Sequence, residues 1–213
     1  MTPVRILVFA RDPVPGRVKT RLIPELGAQG ACALYLMLLD AVLAEVRGAD
    51  AQVVELWADR VPASPALPGR SPDLPVRVQE GRDLGARMAH ALETTLADGA
   101  LPILVGSDLP GLTAAHCRQA AACLRAGADA VFAPAEDGGY GLVGLSRPWA
   151  GAFDAMPWGG PEVMARTRAR AVRDRVDLVA LEPVWDVDEP ADLPRLDALP
   201  RFRDWRRRST EQA

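Results

Sequence analysis

The chain has 213 residues, 49% of them hydrophobic, which is enough for one domain with a substantial buried core. Its formal charge of -3 gives no reason to expect nucleic acid or an anionic membrane as a partner, so a local cluster of cations points to a small anion. Cys32, Cys117 and Cys123 are odd in number, lack CxxC spacing and fall in segments patterned as helices, which favours reduced, packed thiols over a disulfide framework.

Val4 to Ala10 is an apolar, β-branched run that fits a strand buried on both faces. Seven residues of this kind before Arg11 are too few for a signal peptide or a membrane span, and a cytoplasmic enzyme is the expectation. Composition then changes abruptly, because Arg11, Arg17, Lys19 and Arg21 place four cations in eleven residues. Pro13, Pro15 and Gly16 favour an irregular loop, so these cations are expected to curl around something held at the strand's carboxyl end, where open α/β sheets bind ligands. Lys19 is the only lysine among 25 basic side chains, and a compact ammonium suits a phosphate oxygen where a planar guanidinium fork does not. A solvated basic loop is the alternative. A Walker loop is excluded, since Val18 precedes Lys19-Thr20 and position 13 is proline.

Gly27 to Gly48 reads as a long helix in which Leu34, Leu38 and Val42 form one apolar row and Tyr35, Leu39 and Val46 another. So wide a face predicts deep burial. Ala51 to Ala58 is a second strand, and the five prolines of VPASPALPGRSPDLP make residues 59–75 an irregular surface loop within the domain. Val76 to Gln79 is a short strand, and Asp83 can cap a helix whose Leu84, Met88, Leu92 and Leu96 recur every fourth position until Asp98-Gly99 ends it. Leu101 to Gly106 is another apolar strand, Thr113 caps a helix running to about Ala126, and Ala130 to Ala133 is a strand leading into Glu136-Asp137-Gly138-Gly139. Strands alternating with helices, through connections too long for hairpins, specify an α/β domain with a mostly parallel sheet and helices on both faces.

Beyond Gly139 the pattern loosens. Tyr140 to Leu145 can pair antiparallel through the Asp137-Gly138-Gly139 turn, Pro161 to about Arg173 is helical, Val176 to Leu181 is a late strand, and Glu189 opens a terminal helix. The domain is expected over residues 1–200, with RFRDWRRRSTEQA, residues 201–213, as a basic, frayed tail.

Gly106-Ser107-Asp108-Leu109-Pro110 follows a buried strand directly, which puts Asp108 at the same carboxyl edge of the sheet as the basic loop. A carboxylate beside a phosphate cradle suits a divalent cation, since Mg²⁺ takes one or two carboxylates plus phosphate oxygens and water. A turn or helix-cap role for Asp108 is the alternative. Trp185-Asp186-Val187-Asp188 offers partners, because alternate spacing points both aspartates to one side of an extended segment. The competing role is Asp188 as cap of the last helix, with Pro190 near its first turn, and the two roles can coexist. Glu136 to Tyr140 fits a functional loop or a tight turn equally well. His90 and His116 have no companions at zinc spacing, and no Ser-His-Asp nucleophile signature is present.

Taken in order, ARDPVPGRVKTRL, QEGRDLGARM, GSDLP, PAEDGGYGLVGL and WDVDEPADL resemble the motifs of a family of small nucleotide-diphospho-sugar-transferase-like proteins, often labelled DUF2064 or arsenosugar-type glycosyltransferases. The resemblance spans roughly residues 4–196, and the family looks related to the guanylyltransferases of molybdenum-cofactor and phospholactate metabolism. It implies a single GT-A-like domain, a nucleotide or nucleotide-sugar donor over the first strand, Mg²⁺ or Mn²⁺ bridging its phosphates, and a small-molecule acceptor. On that basis the nucleotide-binding segment holds Ala10, Arg11, Gly16, Lys19 and Arg21, while Gln79 and Gly81 sit where related enzymes approach the nucleobase. Asp108 and Asp188 are the implied metal ligands with Asp186 behind them. Lys19, Asp108 and Asp137 are the catalytic candidates, Asp137 as a base for the acceptor. One departure stands out: Trp158-Gly159-Gly160 lacks the hydroxyl residue that family members commonly carry after Trp-Gly. Glycosyl transfer is the first expectation, nucleotidyl transfer with release of pyrophosphate the alternative, and non-catalytic nucleotide binding the third.

Overall fold

Alternation along Val4–Ala10 (β1) decides how the sheet is covered, because Val4, Ile6, Val8 and Ala10 point to one face and Leu7 and Phe9 to the other. The computed structural model describes residues 2–63 and 66–211. In it the first set joins a core with Ile23–Arg47 (α1) and Ala114–Arg125 (α4), and the second a core with Leu84–Ala97 (α3) and Val163–Asp174 (α5). Helices therefore cover both faces, as the buried character of the strand requires.

The remaining strands are Val53–Ala58 (β2), Val76–Val78 (β3), Leu101–Gly106 (β4), Ala130–Pro134 (β5), Tyr140–Leu145 (β6) and Leu178–Ala180 (β7). They form one sheet in the order β3-β2-β1-β4-β6-β5-β7, parallel throughout except for β6, which runs antiparallel to both β4 and β5. The turn through Asp137-Gly138-Gly139 thus makes the expected hairpin, and β6 also slots in beside β4. Strand order reverses at β1: the chain goes through α1 to β2 on one side, while β4 lies on the other. Loops leaving the carboxyl ends of β1 and β4 consequently diverge, and a crevice opens between them.

Local signals behave as their chemistry predicts. Asp83 Oδ1 accepts the Ala86 N–H at 2.8 Å at the start of α3. At the start of α4, His116 Nδ1 accepts the Thr113 N–H at 3.2 Å, so this histidine completes a cap. Gly27, at φ 68 and ψ 167, breaks the segment beginning at Ile23, and the regular part of α1 starts there as the sequence suggests. The stretch Thr20–Arg47 is long and apolar enough to cross a membrane by length and composition. Its two sides are taken up inside the fold, Leu39, Val42, Leu43 and Val46 by the sheet and Leu34 and Leu38 by the C-terminal segment.

Three expectations are corrected. The loop 59–75 is not irregular throughout, because Ala66–Arg70 (α2) turns helical and buries Leu67 against the sheet core; residues 64 and 65 lie outside the described set. The terminal helix from Glu189 is broken by Pro194 and Pro200 into short pieces, among them Leu193–Asp197 (α6). The tail is packed rather than loose: Phe202, Trp205 and Ser209 are buried, Trp205–Glu211 (α7) lies along α1, and the Trp205 indole N–H donates to Asp197 Oδ1 at 2.8 Å. Two large aromatic side chains at about 2–3 kcal/mol each offset the ordering of a short basic segment. The frayed tail thus does not describe residues 201–211, and residues 212 and 213 lie outside the described set.

Candidate functional site

The crevice between β1 and β4 is a cavity of about 700 Å³. Ala10, Arg11, Lys19 and Arg21 line it from the first loop, Gly106, Ser107 and Asp108 from the end of β4, Gln79, Leu84 and Arg87 from the β3–α3 side, and Asp188 from the late segment. Buried Val18 and Leu22 anchor the first loop on either side of Lys19, whose backbone is forced into the left-handed region at φ 46 and ψ 45. That conformation is costly for a residue with a side chain and recurs where a site imposes it.

Lys19 is the electrostatic centre. Its Nζ lies 2.6 Å from Asp108 Oδ2 and 3.7 Å from Asp188 Oδ1, while Arg21 Nη1 reaches Asp188 Oδ2 at 2.7 Å. Burial alone would lower the pKa of this lysine, but Asp108, Asp188 and Asp186 outweigh it and hold the ammonium above its ordinary value. Burial pushes the Asp186 carboxyl up to about 6, Asp108 and Asp137 push the same way, and Lys19 opposes them. Asp186 and Asp188 share an orientation because the buried Val187 between them faces inward.

Residues that the sequence pattern does not single out hold these loops together. Tyr35 of α1 accepts the Arg11 N–H at 2.8 Å, and its hydroxyl lies 3.1 Å from both the Arg11 carbonyl and Ser107 Oγ. It therefore ties the β1 loop to the β4 loop. Its place in an apolar helical row concealed this, since the ring packs and only the hydroxyl bridges. Trp185 packs on Gly111, where a Cβ would stand 2.6 Å from Trp185 Cδ1, and the Arg195 guanidinium lies over the ring at 4.1 Å from its centroid. Arg195 in turn pairs with Glu136 Oε2 at 2.6 Å. Asp59, which lines the cavity, accepts the Asp12 N–H at 2.7 Å.

Some expected residues lie apart from the cavity wall. Gly16, at φ 82, shapes the turn of the basic loop. Gly81 lets the chain approach α3, because a Cβ there would be 2.6 Å from the Arg87 nitrogen. Gln79 lines the cavity, with its amide nitrogen donating to the carbonyls of Trp57 at 2.7 Å and Ala10 at 3.3 Å. Asp137 is exposed in the β5–β6 turn, where Oδ1 accepts the Gly139 N–H at 2.9 Å. Asp188 does not cap the last helix: Glu189 takes that position, and Asp192 Oδ2 accepts the N–H groups of Asp188 and Glu189. The Asp188 carboxylate is thereby left to the cavity. A Cβ on Gly160 would meet nothing nearer than the Pro157 carbonyl at 3.5 Å, so packing does not demand glycine there.

Among the described residues, no three His, Cys, Asp or Glu side chains close into a metal site. A nucleotide-bound Mg²⁺ does not need three, and the oxygen-only set of Asp108, Asp186 and Asp188 suits a hard cation. Burial first, and then the charges of Asp108 and Asp137, lift the Asp186 carboxyl to about 6, so an added cation at this edge would favour its ionised form. These residues fit the cation.

The profile of a family described as "Uncharacterized protein conserved in bacteria (DUF2064)" matches residues 42–160. A crystal structure from Desulfovibrio desulfuricans G20, provisionally assigned as a nucleotide-diphospho-sugar transferase, is 31% identical, with a TM-score of 0.84 over 99% of this chain and 95% of that one. 4-Diphosphocytidyl-2C-methyl-D-erythritol synthase shares the fold at TM-score 0.61 and 10% identity, over 93% of this chain and 98% of that one. Glucosyl-3-phosphoglycerate synthase from Mycobacterium tuberculosis, solved with Mn²⁺, UDP and glucosyl-3-phosphoglycerate, shares it at TM-score 0.55 and 11% identity, over 99% of this chain and 80% of that one. No protein of curated function matches the sequence. With the family profile matching more than half of its length and a 31% identical relative spanning nearly all of it, the chain belongs to the DUF2064 family and carries the nucleotide-diphospho-sugar transferase fold.

Proposed function

We propose that the protein is a cytoplasmic, metal-dependent transferase that moves a glycosyl group from a nucleotide sugar to a small-molecule acceptor. The observation that carries this reading is Lys19, a buried ammonium set against Asp108 and Asp188 at the strand-order reversal, in a cavity also lined by Arg11 and Arg21. Asp108 and Asp188, with Asp186 behind them, would hold Mg²⁺ or Mn²⁺, which supplies positive charge against the donor phosphates when bound. Lys19, Arg11 and Arg21 neutralise the diphosphate as it leaves. In an inverting reaction Asp137, outside the cavity wall but near enough for its charge to reach Asp186, takes the proton from the acceptor hydroxyl, whose oxygen forms the new bond to the sugar carbon as the carbon–oxygen bond to the diphosphate breaks.

Nucleotidyl transfer is the second reading, favoured by the fold shared with a CTP-bound CMP:2-keto-3-deoxy-manno-octonic acid synthetase at TM-score 0.56. There a substrate phosphate would attack the α-phosphorus and pyrophosphate would leave, with Lys19 and Arg11 carrying the charge. A thermal-shift panel of UDP, GDP and dTDP, their sugar conjugates and the nucleoside triphosphates, each with and without Mg²⁺ or Mn²⁺, separates the two. A metal-dependent shift with one diphosphate or nucleotide sugar supports glycosyl transfer. Pyrophosphate release from a triphosphate and a sugar phosphate would overturn it.

A further inference from the structure

The carboxylates suited to a divalent cation are already held by cations of the chain. Asp108 carries the Lys19 ammonium at 2.6 Å, and Asp188 is shared between Lys19 at 3.7 Å and Arg21 at 2.7 Å. Lys19 is not poised to swing away into water: 5% of its side chain is exposed, its backbone is left-handed, and its neighbours Val18 and Leu22 are buried. A buried ammonium needs a counter-charge whenever no phosphate is present, and Asp108 meets that need. The same oxygens cannot serve Lys19 and a divalent cation equally.

We infer that Lys19 and Arg21 act as a built-in counter-ion that closes the Asp108–Asp188 pair to divalent cations until a polyphosphate draws the two side chains off. The inference deepens the transferase reading and rests on it for the identity of the two ligands. A phosphate chain offers Lys19 and Arg21 new oxygens, and each carboxylate so released becomes available to the cation. A polyphosphate arriving without a cation meets three aspartates at close quarters, so it too binds poorly alone. Each ligand must then strengthen the other by the same factor. In this account Lys19 is strained and buried so that the ligand-free site is electrically closed.

The test titrates MnCl₂ alone into the 213-residue protein, with free Mn²⁺ followed by its paramagnetic resonance signal, for wild type and three variants. Lys19→Met, which keeps the apolar stem, is expected to bind Mn²⁺ on the order of tenfold tighter than wild type. Arg21→Gln is expected to bind it severalfold tighter. Arg21 has a side chain 64% exposed and decides the matter if Lys19→Met does not fold. Arg87→Gln removes a cation that lines the same cavity without an ion pair to either carboxylate among the described residues, and should change Mn²⁺ affinity far less. Equal gains in Arg87→Gln and Arg21→Gln would reduce the effect to general charge and overturn the inference, as would Mn²⁺ binding no tighter in Lys19→Met and Arg21→Gln than in wild type. Because no nucleotide is present, failure of every nucleotide in the thermal-shift panel would refute the transferase reading independently of this result.

Discussion

Two aspartates at opposite edges of the same sheet illustrate what this fold does with charge. Asp129, at the amino end of β5, receives two hydrogen bonds from Arg147 at 2.6 and 2.9 Å and the Asp177 N–H at 3.0 Å, so it joins the segments before β5, after β6 and before β7. The Arg147 bonds and then the Asp177 N–H bring its pKa down to about 2. Asp186, at the carboxyl edge, has its pKa raised to about 6 by burial and by Asp108. One edge satisfies its carboxylate and is stabilised by it; the other retains a carboxylate that weakens the fold. Perturbation of the second kind marks sites kept for binding or chemistry.

The largest expected effect breaks the carboxyl edge. Asp108→Ala should reduce turnover on the order of a hundredfold or more while leaving a folded protein, with circular dichroism and donor turnover as paired readouts. Loss of fold at the same rate as loss of turnover would make Asp108 a structural residue. Gly111→Ala comes next, since its Cβ would strike Trp185 at 2.6 Å and shift the segment bearing Asp186 and Asp188. We expect a loss of about 1–3 kcal/mol in denaturant unfolding, together with a raised requirement for divalent cation. A stability loss with unchanged cation dependence would detach Trp185 from the site.

The two smaller predictions test the aspartates themselves. Asp129→Ala should lower stability by about 1 kcal/mol at neutral pH, a figure reduced because the side chain is partly solvated. The native pKa is depressed, so this contribution is present above the ordinary carboxylate value and is lost as pH falls through about 2. Asp186→Asn should do the reverse, raising stability by at most roughly 1 kcal/mol above pH 6. The native pKa is raised, so the penalty grows as pH climbs from the ordinary value through about 6, and wild type and variant should converge below about pH 4. Denaturant midpoints across that range decide both, and an Asp186→Asn variant less stable at pH 8 would reverse the comparison.

Much of the fold was legible because its signals are local. The apolar run of β1, the caps Asp83 and Thr113 and the Asp-Gly-Gly turn each act within a few residues of themselves. The tail misled for the same reason: its run of arginines reads as solvated, whereas Trp205 and Phe202 find a groove on α1, about 170 residues away, that no local pattern discloses. In the site, the concentration of cations from Arg11 to Arg21 and the placing of Asp108 after a strand were readable. The bridging hydroxyl of Tyr35 and the wedge of Trp185 on Gly111 were not.

By itself the sequence determined which side chains reach the carboxyl edge of the sheet, since strand periodicity and loop composition are properties of neighbours along the chain. Only the tertiary structure decided how those side chains treat one another. That Lys19 rests on Asp108, that Asp188 is released from capping by Glu189 and Asp192, and that Asp186 sits in the field of Asp108 and Asp137 are matters of a few ångströms between segments distant in sequence. Charge interactions change steeply over such distances, and segment spacing at that scale is set by packing across the whole domain.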